Sequence, residues 1–244
     1  MAERLAGKIA WVLGAAGKDN MGQIIAKRFA MEGATVIVGG RHMDVLQELA
    51  DDVKGLAIEC DITRMEDIKH SVATIKANYS KLDIAVNCTG WGLLVPFEET
   101  PEDDLQKMMD LQFKGPYQFM QVLVGVMSDA SSIIQISSAT ATILVGNHHA
   151  YIGTKAGIDH VVRGVADEYG AKGIRVNSIS PGLTDTNLMK ENTKENIIQL
   201  INSKDSDLLS KIEVGDKIKI YLNNLGELEE LIYLGDHIRA RLDV

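Results

Sequence analysis

Two side chains with titratable groups, Tyr151 and Lys155, stand four residues apart in a segment that suits a helix. Residues at that spacing share one helix face. Ser138 precedes the tyrosine, at the end of a β-branched run. A phenol with a pKa of about 10 is a reluctant base, but a desolvated cation one helical turn away favours its ionised form. The three side chains predict a site that moves a proton; the alternative is a helix whose Tyr and Lys only pack and meet solvent.

The surrounding elements predict how these residues are positioned. Six short apolar runs are each closed by Gly, Asp, Ser or Asn, and helix-compatible stretches separate them: KIAWVLG, TVIVGG, GLAIECD, LDIAVNCTG, SIIQISS and IRVNSISPG. Runs this apolar suit strands that are buried on both faces. The alternation from residue 8 to about residue 180 predicts an α/β fold, a doubly wound Rossmann-like parallel sheet with helices on both faces. Ligands then bind at the carboxyl ends of the strands.

Composition narrows the class of protein. The chain of 244 residues can bury one large core, and its net charge of -9 without a basic cluster argues against nucleic-acid binding. No apolar stretch reaches about 18 residues and the start lacks a signal-peptide pattern, so we expect no membrane contact and a cytoplasmic protein. The two cysteines, Cys60 and Cys88, lie far apart in the sequence, which is typical of buried free thiols in a reducing compartment. The sequence has no pattern of metal ligands.

A glycine-rich turn follows the first predicted strand and opens a helix. Its candidate cofactor residues are Gly14, Gly17, Lys18, Met21 and Gly22. Glycines let backbone amides approach a pyrophosphate, and the N-terminus of the helix adds unpaired N–H groups and a favourable dipole. Glycines also build ordinary tight turns, so the placement between strand and helix carries the prediction.

The ends of the second and third strands predict the kind of dinucleotide. An acidic residue after the second strand binds the ribose hydroxyls of NAD, whereas a nearby Arg accommodates the 2′-phosphate of NADP. Here the acid is absent and Arg41 is present, with Lys18 as a second cation. NADP(H) is therefore the preferred cofactor and NAD(H) a possible one, unless Arg41 is only a solvated surface residue. Asp61, with Ile62 beside it, is placed to contact adenine or, alternatively, to cap the next helix.

Taken together, these motifs resemble the short-chain dehydrogenase/reductase family, in its single-domain subgroup with a Tyr-x-x-x-Lys motif. The resemblance covers about residues 5–189 and includes the glycine turn, Asp61, the stretch NCTG at 87–90 and the stretch NSISPG at 177–182.

The family resemblance implies an NAD(P)-dependent oxidoreductase that transfers a hydride between nicotinamide and a carbonyl or secondary alcohol. Tyr151 would be the acid, Ser138 the second hydrogen-bond donor, and Lys155 would also hold the nicotinamide ribose. Further cofactor contacts are implied for Asn87, Gly90, Pro181, Gly182 and Thr186. The partner is a small-molecule substrate, and a homo-oligomer, dimer or tetramer, is expected.

Two local departures from the family pattern concern the site itself. The glycine turn is lengthened, with Asn20 near the usual middle glycine, so its path must differ. Gln112 stands where the family commonly has an Asn that orders a water beside Lys155. We include Gln112 among the catalytic candidates, with simple helix packing as the alternative.

The segment after residue 189 is the largest departure. Residues 1–171 contain 20 alanines, whereas residues 190–244 contain one, Ala240. Apolar and charged residues alternate there as in half-exposed antiparallel strands. We therefore divide the chain into a catalytic Rossmann domain, 1–189, and an atypical segment, 190–244. The segment is a divergent lid with a terminal strand, a fused tail or an artefact of reading frame.

The predicted substrate pocket is mostly apolar, which suits a medium-sized, partly apolar ketone or alcohol. Its residues are Trp91, Leu93, Leu94, Val145, His148, Leu183 and Leu188. His148 either contacts substrate or is a solvated loop residue. The competing function is a nucleotide-binding regulatory or structural protein that kept the fold and lost turnover.

Overall fold

A computed structural model describes residues 3–127, 129–182 and 184 of the chain. The chain divides into two compact units, residues 1–181 and residues 182–244. All the elements below belong to the first unit. The predicted β-rich segment 190–244 lies outside the described residues, so its assignment as a separate segment remains a prediction.

Six parallel strands form one sheet, in the order β3-β2-β1-β4-β5-β6. They are β1 (Ile9–Leu13), β2 (Thr35–Gly40), β3 (Leu56–Glu59), β4 (Ile84–Asn87), β5 (Ser132–Ile136) and β6 (Arg175–Ile179). Each strand falls within one of the six predicted apolar runs, so the predicted doubly wound sheet is confirmed. The chain extends the sheet to one side from β1 to β3 and to the other side from β4 to β6. A ligand crevice is expected between β1 and β4, where the direction of extension switches.

The helices follow the strands as crossovers. They are α1 (Met21–Met31), α2 (Met43–Val53), α3 (Met65–Asn78), α4 (Glu102–Met109), α5 (Gly115–Val124) and α6 (His149–Gly170). A π-helical turn, Asp110–Lys114, joins α4 to α5, and two short 3₁₀ turns lie at Phe97–Glu99 and Ala139–Ala141. No helix in the described part of the chain is long and apolar enough to span a membrane.

The central strand β1 shows why the sheet is covered on both faces. Trp11 and Leu13 belong to one buried cluster, and Val12 between them belongs to the other. This alternation is the two-residue period of a strand, with both faces apolar. The Trp11 ring packs 5.1 Å from the ring of Phe119 in α5, measured between centroids. Helix packing on both faces leaves the carboxyl ends of the strands as the open edge of the sheet.

Strand register brings the predicted site residues to that edge. Leu13 at the end of β1 pairs with Gly39 on one side and with Asn87 on the other. The residues that follow these strands, including Gly14 and Cys88, are therefore neighbours. The fold thus assembles at one edge the residues that the sequence places after separate apolar runs.

Candidate active site

The glycine turn after β1 depends on the absence of side chains. Gly14 has a φ of +94°, and a Cβ there would lie 2.7 Å from the Cys88 carbonyl carbon. A Cβ on Gly22 would lie 2.6 Å from the Gly14 carbonyl oxygen. Contacts this short require the neighbouring backbone to move. The glycines therefore allow close backbone packing, which brings the first turn of α1 against the end of β1.

Asn20 explains how the lengthened turn is held. Its side-chain oxygen accepts a hydrogen bond from the Gln23 amide at 2.9 Å, which makes it the N-cap of α1. Its Nδ2 donates to the Gly14 carbonyl at 2.8 Å. One side chain thus caps the helix and fixes the start of the turn. Where the family usually has its middle glycine, this chain therefore has a residue that caps α1 and binds the Gly14 carbonyl.

A cleft of about 220 Å³ opens beside this turn, and it collects residues from the ends of four strands. Six predicted cofactor residues line it: Gly14, Gly17, Arg41, Asp61, Ile62 and Gly90. Sequence reasoning missed further lining residues, namely Ala16, Gly40, His42, Cys60, Cys88, Thr89 and Leu111. Most of these adjoin a predicted site residue, so extending each motif by one position would have found them.

The helix N-terminus and two cations beside the cleft suit the phosphates of a dinucleotide. Met21 is the first residue of α1, so the first-turn amides of that helix begin beside the glycine turn. Lys18 is exposed in the turn, and Arg41 is exposed at the end of β2. Backbone N–H groups at a helix N-terminus bind phosphates, and cations add to that binding. These residues would hold the pyrophosphate and neighbouring groups of a dinucleotide.

Asp61 forms a local turn rather than a helix cap. Its carboxylate accepts hydrogen bonds from the Thr63 amide at 2.9 Å and the Thr63 hydroxyl at 2.8 Å. Helix α3 begins at Met65, and its N-cap, Arg64, makes no side-chain capping bond. The capping alternative for Asp61 is therefore wrong. The residue remains in the cleft with its carboxylate held by Thr63.

Asn87 is not brought to the cleft. Its side chain is fully buried, donates to Gln135 Oε1 at 2.9 Å and accepts from the Thr89 amide at 3.0 Å. These bonds join β4 to β5 and shape the loop that carries Thr89 and Gly90. Asn87 thus holds in place a loop that lines the cleft. Gly22 is likewise buried and contributes through its packing on Gly14.

Lys155 is buried at the catalytic end of α6, with only 3% of its surface exposed. Its Nζ donates to the Ile136 carbonyl at the end of β5, at 3.0 Å. Burial lowers the pKa of Lys155 to about 8, and the charges of Asp159 and Cys88 oppose that shift. A lysine that only meets solvent would not be held in this way. Lys155 therefore does not lie in solvent, and its catalytic role stays a prediction.

Tyr151 lies on the same face of α6, and the Lys155 ammonium is 5.5 Å from its ring centroid. Burial raises the pKa of the Tyr151 phenol, and a hydrogen bond with Ser138 lowers it. The Ser138 hydroxyl also accepts from the Thr140 hydroxyl at 2.9 Å, which fixes its position in the 3₁₀ turn. The three predicted catalytic residues are thus brought together, and their site can hold and transfer a proton.

Gln112 lies in the π-helical turn and is 1% exposed. Its side-chain oxygen accepts a hydrogen bond from the Trp91 amide at 3.1 Å, and its Nε2 lies 3.3 Å from the Thr154 hydroxyl. Its amide joins the loop after β4 to α6 by hydrogen bonds, and whether Gln112 acts in catalysis or in helix packing stays a prediction.

Two loops form the expected substrate side. The Val95 amide donates to the Asn147 carbonyl at 2.8 Å, which ties the loop containing Trp91, Leu93 and Leu94 to the loop containing Val145 and His148. The imidazole of His148 packs on Tyr151, with 4.6 Å between ring centroids. Burial lowers the pKa of His148, and a hydrogen bond to the Leu93 carbonyl opposes the shift. His148 is therefore not simply solvated.

The remaining predicted residues differ in what the structure describes. The Pro181 carbonyl accepts from the Ala139 amide at 2.8 Å, beside Ser138. Gly182 is the first residue of the second unit and is exposed. Leu183, Thr186 and Leu188 lie outside the described residues, so their predicted contacts remain predictions.

Comparisons with known proteins give the family of the chain. The family profile described as enoyl-(acyl carrier protein) reductase matches residues 14–211. The chain is similar to an NAD-dependent glycerol dehydrogenase of Listeria innocua, at 33% identity over 75% of this chain and 73% of that protein. It is also similar to a D-threitol dehydrogenase of Mycolicibacterium smegmatis, at 30% identity over 76% of this chain and 73% of that protein.

Solved structures show the same likeness. A dehydrogenase/reductase from Sinorhizobium meliloti has a TM-score of 0.73 at 30% identity, over 77% of this chain and 76% of that one. A dehydrogenase from Burkholderia cenocepacia with bound NADP has a TM-score of 0.74 at 25% identity, over 82% and 78%. The chain belongs to the short-chain dehydrogenase/reductase family and is an NAD(P)-dependent oxidoreductase that acts on alcohols or carbonyls.

Proposed function

We propose that the protein is an NADP(H)-preferring enzyme that interconverts a carbonyl and a secondary alcohol on a medium-sized, partly apolar substrate. The observation that carries the proposal is the buried Lys155 beside the half-buried Tyr151. The pair adjoins the cleft, because a Cβ at Gly90, which lines the cleft, would lie 3.9 Å from Lys155 Nζ. A buried amine beside a phenol costs stability, so its presence favours a chemical role over packing.

The proposed mechanism follows from the positions of three side chains. The nicotinamide, when bound, supplies or accepts the hydride. A carbonyl oxygen that gains negative charge needs a proton and a fixed hydrogen-bond donor. The Tyr151 hydroxyl gives that proton, and the Ser138 hydroxyl donates the second hydrogen bond. The Lys155 cation, held by the Ile136 carbonyl, favours the phenolate that remains.

The preference for NADP(H) rests on Arg41. It is exposed at the end of β2 and lines the cleft, and no acidic residue ends that strand. A guanidinium can pair bidentately with a 2′-phosphate. The relatives include an NAD-dependent enzyme and a structure with bound NADP, so membership of the family leaves the choice to this local residue.

The substrate preference rests on the two loops beside Tyr151. Their side chains are largely apolar, and Leu94 and Val145 keep 48% and 40% of their surfaces exposed. Exposed apolar side chains beside a reactive centre fit an apolar part of a substrate. Two relatives are named for the polyols glycerol and threitol, so small polyols are the class of substrate against which partly apolar ketones and alcohols should be compared.

We extend the proposal to assembly and location. Leu105 and Met109 are exposed on α4 and Tyr117 is exposed on α5, which suits a homo-oligomer. The acidic charge and the widely separated thiols suit the cytoplasm. Gel filtration with light scattering tests the first point, since a monomer at micromolar concentration would contradict it.

Turnover is tested with a panel of ketones, secondary alcohols and polyols, followed by nicotinamide absorbance. Tyr151→Phe should lower kcat by about 10²–10⁴-fold, because the proton donor is lost, while NADPH binding by fluorescence stays the same. Tyr117→Phe removes an exposed hydroxyl and is the matched control. Robust turnover by Tyr151→Phe would reject the mechanism. NADPH binding without turnover of any compound by the unaltered protein would favour the regulatory alternative.

Cofactor preference has a separate test. Arg41→Asp removes the phosphate partner and adds an acid that binds ribose hydroxyls, so the NADP/NAD ratio of kcat/KM should fall by about 10–100-fold. Arg163→Asp makes the same charge change at an exposed position on α6 that does not line the cleft. An unchanged ratio in Arg41→Asp would remove Arg41 from this role.

A further inference from the structure

The turn that carries Gln112 is the one π-helical segment in the described part of the chain. It lies between α4 and α5, at Asp110–Lys114, and such turns are frequent at functional sites. The side chain of Gln112 is turned inward and is 1% exposed. A buried primary amide must find hydrogen-bond partners or lose stability. The identity of those partners therefore indicates what the turn positions.

The partners of Gln112 lie on three different segments. Oε1 accepts from the Trp91 amide at 3.1 Å, in the loop after β4. Nε2 donates to Met108 Sδ at 2.7 Å, in α4, and to the Thr154 hydroxyl at 3.3 Å, in α6. A primary amide has two N–H donors, so both are engaged. The Gln112 amide is thus committed to joining these segments.

The contacts continue to the catalytic tyrosine. The Thr154 hydroxyl donates to the Tyr151 carbonyl at 2.8 Å. A continuous series of hydrogen bonds therefore runs from the Trp91 amide through Gln112 and Thr154 to the backbone of Tyr151. At its other end the Trp91 ring is covered by the Lys107 ammonium, 4.0 Å from the centroid. Both the backbone and the ring of Trp91 are held by neighbours.

Gly90 makes room for this arrangement. A Cβ at Gly90 would lie 3.1 Å from Gln112 Oε1, which is closer than ordinary van der Waals contact. The length of the glutamine stem also matters, because an asparagine is one methylene shorter and would not reach both Trp91 and Thr154 from the same backbone position. The room that Gly90 leaves and the distance between Trp91 and Thr154 thus both suit a glutamine at position 112.

We propose that Gln112 is a positioning residue that sets the separation between Trp91 and the helical turn of Tyr151, and thereby selects substrates by the size of the group that fits between them. This inference rests on the proposed function, because it takes Trp91 as a wall of the substrate pocket. Gln112 acts through Trp91 and Tyr151 and does not itself touch the reacting atoms.

Fluorescence isolates the effect on Trp91. The chain has two tryptophans, and Trp11 is fully buried. In a Trp11→Phe background, acrylamide quenching reports Trp91 alone. Gln112→Met keeps the side-chain length and removes the bonds, so quenching of Trp91 should increase. Gln112→Asn, a second variant that keeps an amide, should also increase it. Gln47→Met, at an exposed position on α2, is the control and should leave quenching unchanged.

Kinetics on a graded series of ketones tests selection by size. In Gln112→Met the preference between a bulky and a small ketone, measured as the ratio of their KM values, should change by about five- to tenfold, the effect of one lost hydrogen bond. Gln47→Met, at an exposed position on α2, is the control and should leave this ratio of KM values unchanged.

Two results would overturn the proposal. Unchanged Trp91 quenching in both Gln112 variants would show that this residue does not hold the loop. A uniform fall of kcat on every ketone, with KM values unchanged, would assign Gln112 to proton transfer instead. If the unaltered enzyme reduces no ketone, the proposed function fails, whereas the quenching result still decides whether Gln112 fixes Trp91.

Discussion

The glycine turn and the catalytic centre lie at the same edge of the sheet but are built in opposite ways. The turn works through side chains that are absent, since a Cβ on Gly22 would meet the Gly14 carbonyl oxygen at 2.6 Å. The proposed catalytic centre works through the side chains of Ser138 and Tyr151, which are half-buried, and of Lys155, which is 3% exposed. The glycine turn depends on the shape of its backbone, whereas the catalytic centre depends on a charged group that is removed from water. Substitutions should therefore damage the turn sterically and the centre electrostatically.

The largest expected effect is in the catalytic centre, where Lys155→Met should abolish turnover yet stabilise the fold. Burial lowers the pKa of Lys155 from 10.5 to about 8, so the native state binds this proton less tightly than the unfolded state does. The penalty is fully present below pH 8. It disappears as pH rises to 10.5, because the unfolded chain then holds more protons. Replacement by methionine should add up to about 3 kcal/mol to the free energy of unfolding at pH 7.

Urea denaturation at pH 7 and at pH 10.5 measures this difference. The Ile136 carbonyl keeps a hydrogen bond from Gln135 Nε2 at 2.8 Å, so the variant does not leave it unpaired. Lys69→Met, at an exposed position on α3, should show no such pH-dependent gain. A Lys155→Met protein that is less stable than the unaltered one at pH 7 would contradict the electrostatic account of this region.

The next largest effect is steric and lies in the turn. Gly22→Ala should weaken NADPH binding by about 10–100-fold, corresponding to the roughly 1–3 kcal/mol that overpacking costs. Gly153→Ala is the matched control, because it lies in α6 close to Tyr151 with no heavy atom within 4 Å of a Cβ. That control should stabilise the helix by about 0.5–1 kcal/mol. Equal NADPH dissociation constants in both variants would show that the turn tolerates a side chain.

The same contrast explains what could be predicted from sequence. The six strands and the shared helix face of Tyr151 and Lys155 follow from local signals, namely apolar runs, glycine stops and the four-residue helical spacing, whereas Ser138 is joined to them by the family resemblance. The glycine turn was predicted from its position between strand and helix. Such features depend on neighbours in the chain, so one sequence is enough to find them.

Other features depend on contacts between distant segments. Asn87 resembles a cofactor contact, yet it bonds to Gln135, which is 48 residues away. Two of the three partners of Gln112, Trp91 and Thr154, are likewise 21 and 42 residues away. Neither pairing has a local pattern, because long-range contacts are decided by how the whole sheet and its helices pack. The burial that shifts the pKa of Lys155 has the same origin.

The smallest expected effect separates the two functions of Asn20. Asn20→Asp keeps an oxygen that caps α1, so the free energy of unfolding should change little. The variant loses the Nδ2 bond to the Gly14 carbonyl, at 2.8 Å, and places a negative charge beside the predicted pyrophosphate position. NADPH affinity should fall about two- to fivefold, the size of a charge interaction of about 0.3–1 kcal/mol at low ionic strength, and the fall should shrink when salt is added.

Asn20→Ser, a neutral cap, serves as the control for charge. An equal loss of affinity in Asn20→Ser would mean that the bond to Gly14 matters and the charge does not, whereas a loss of stability in Asn20→Asp would show that the cap needs the amide.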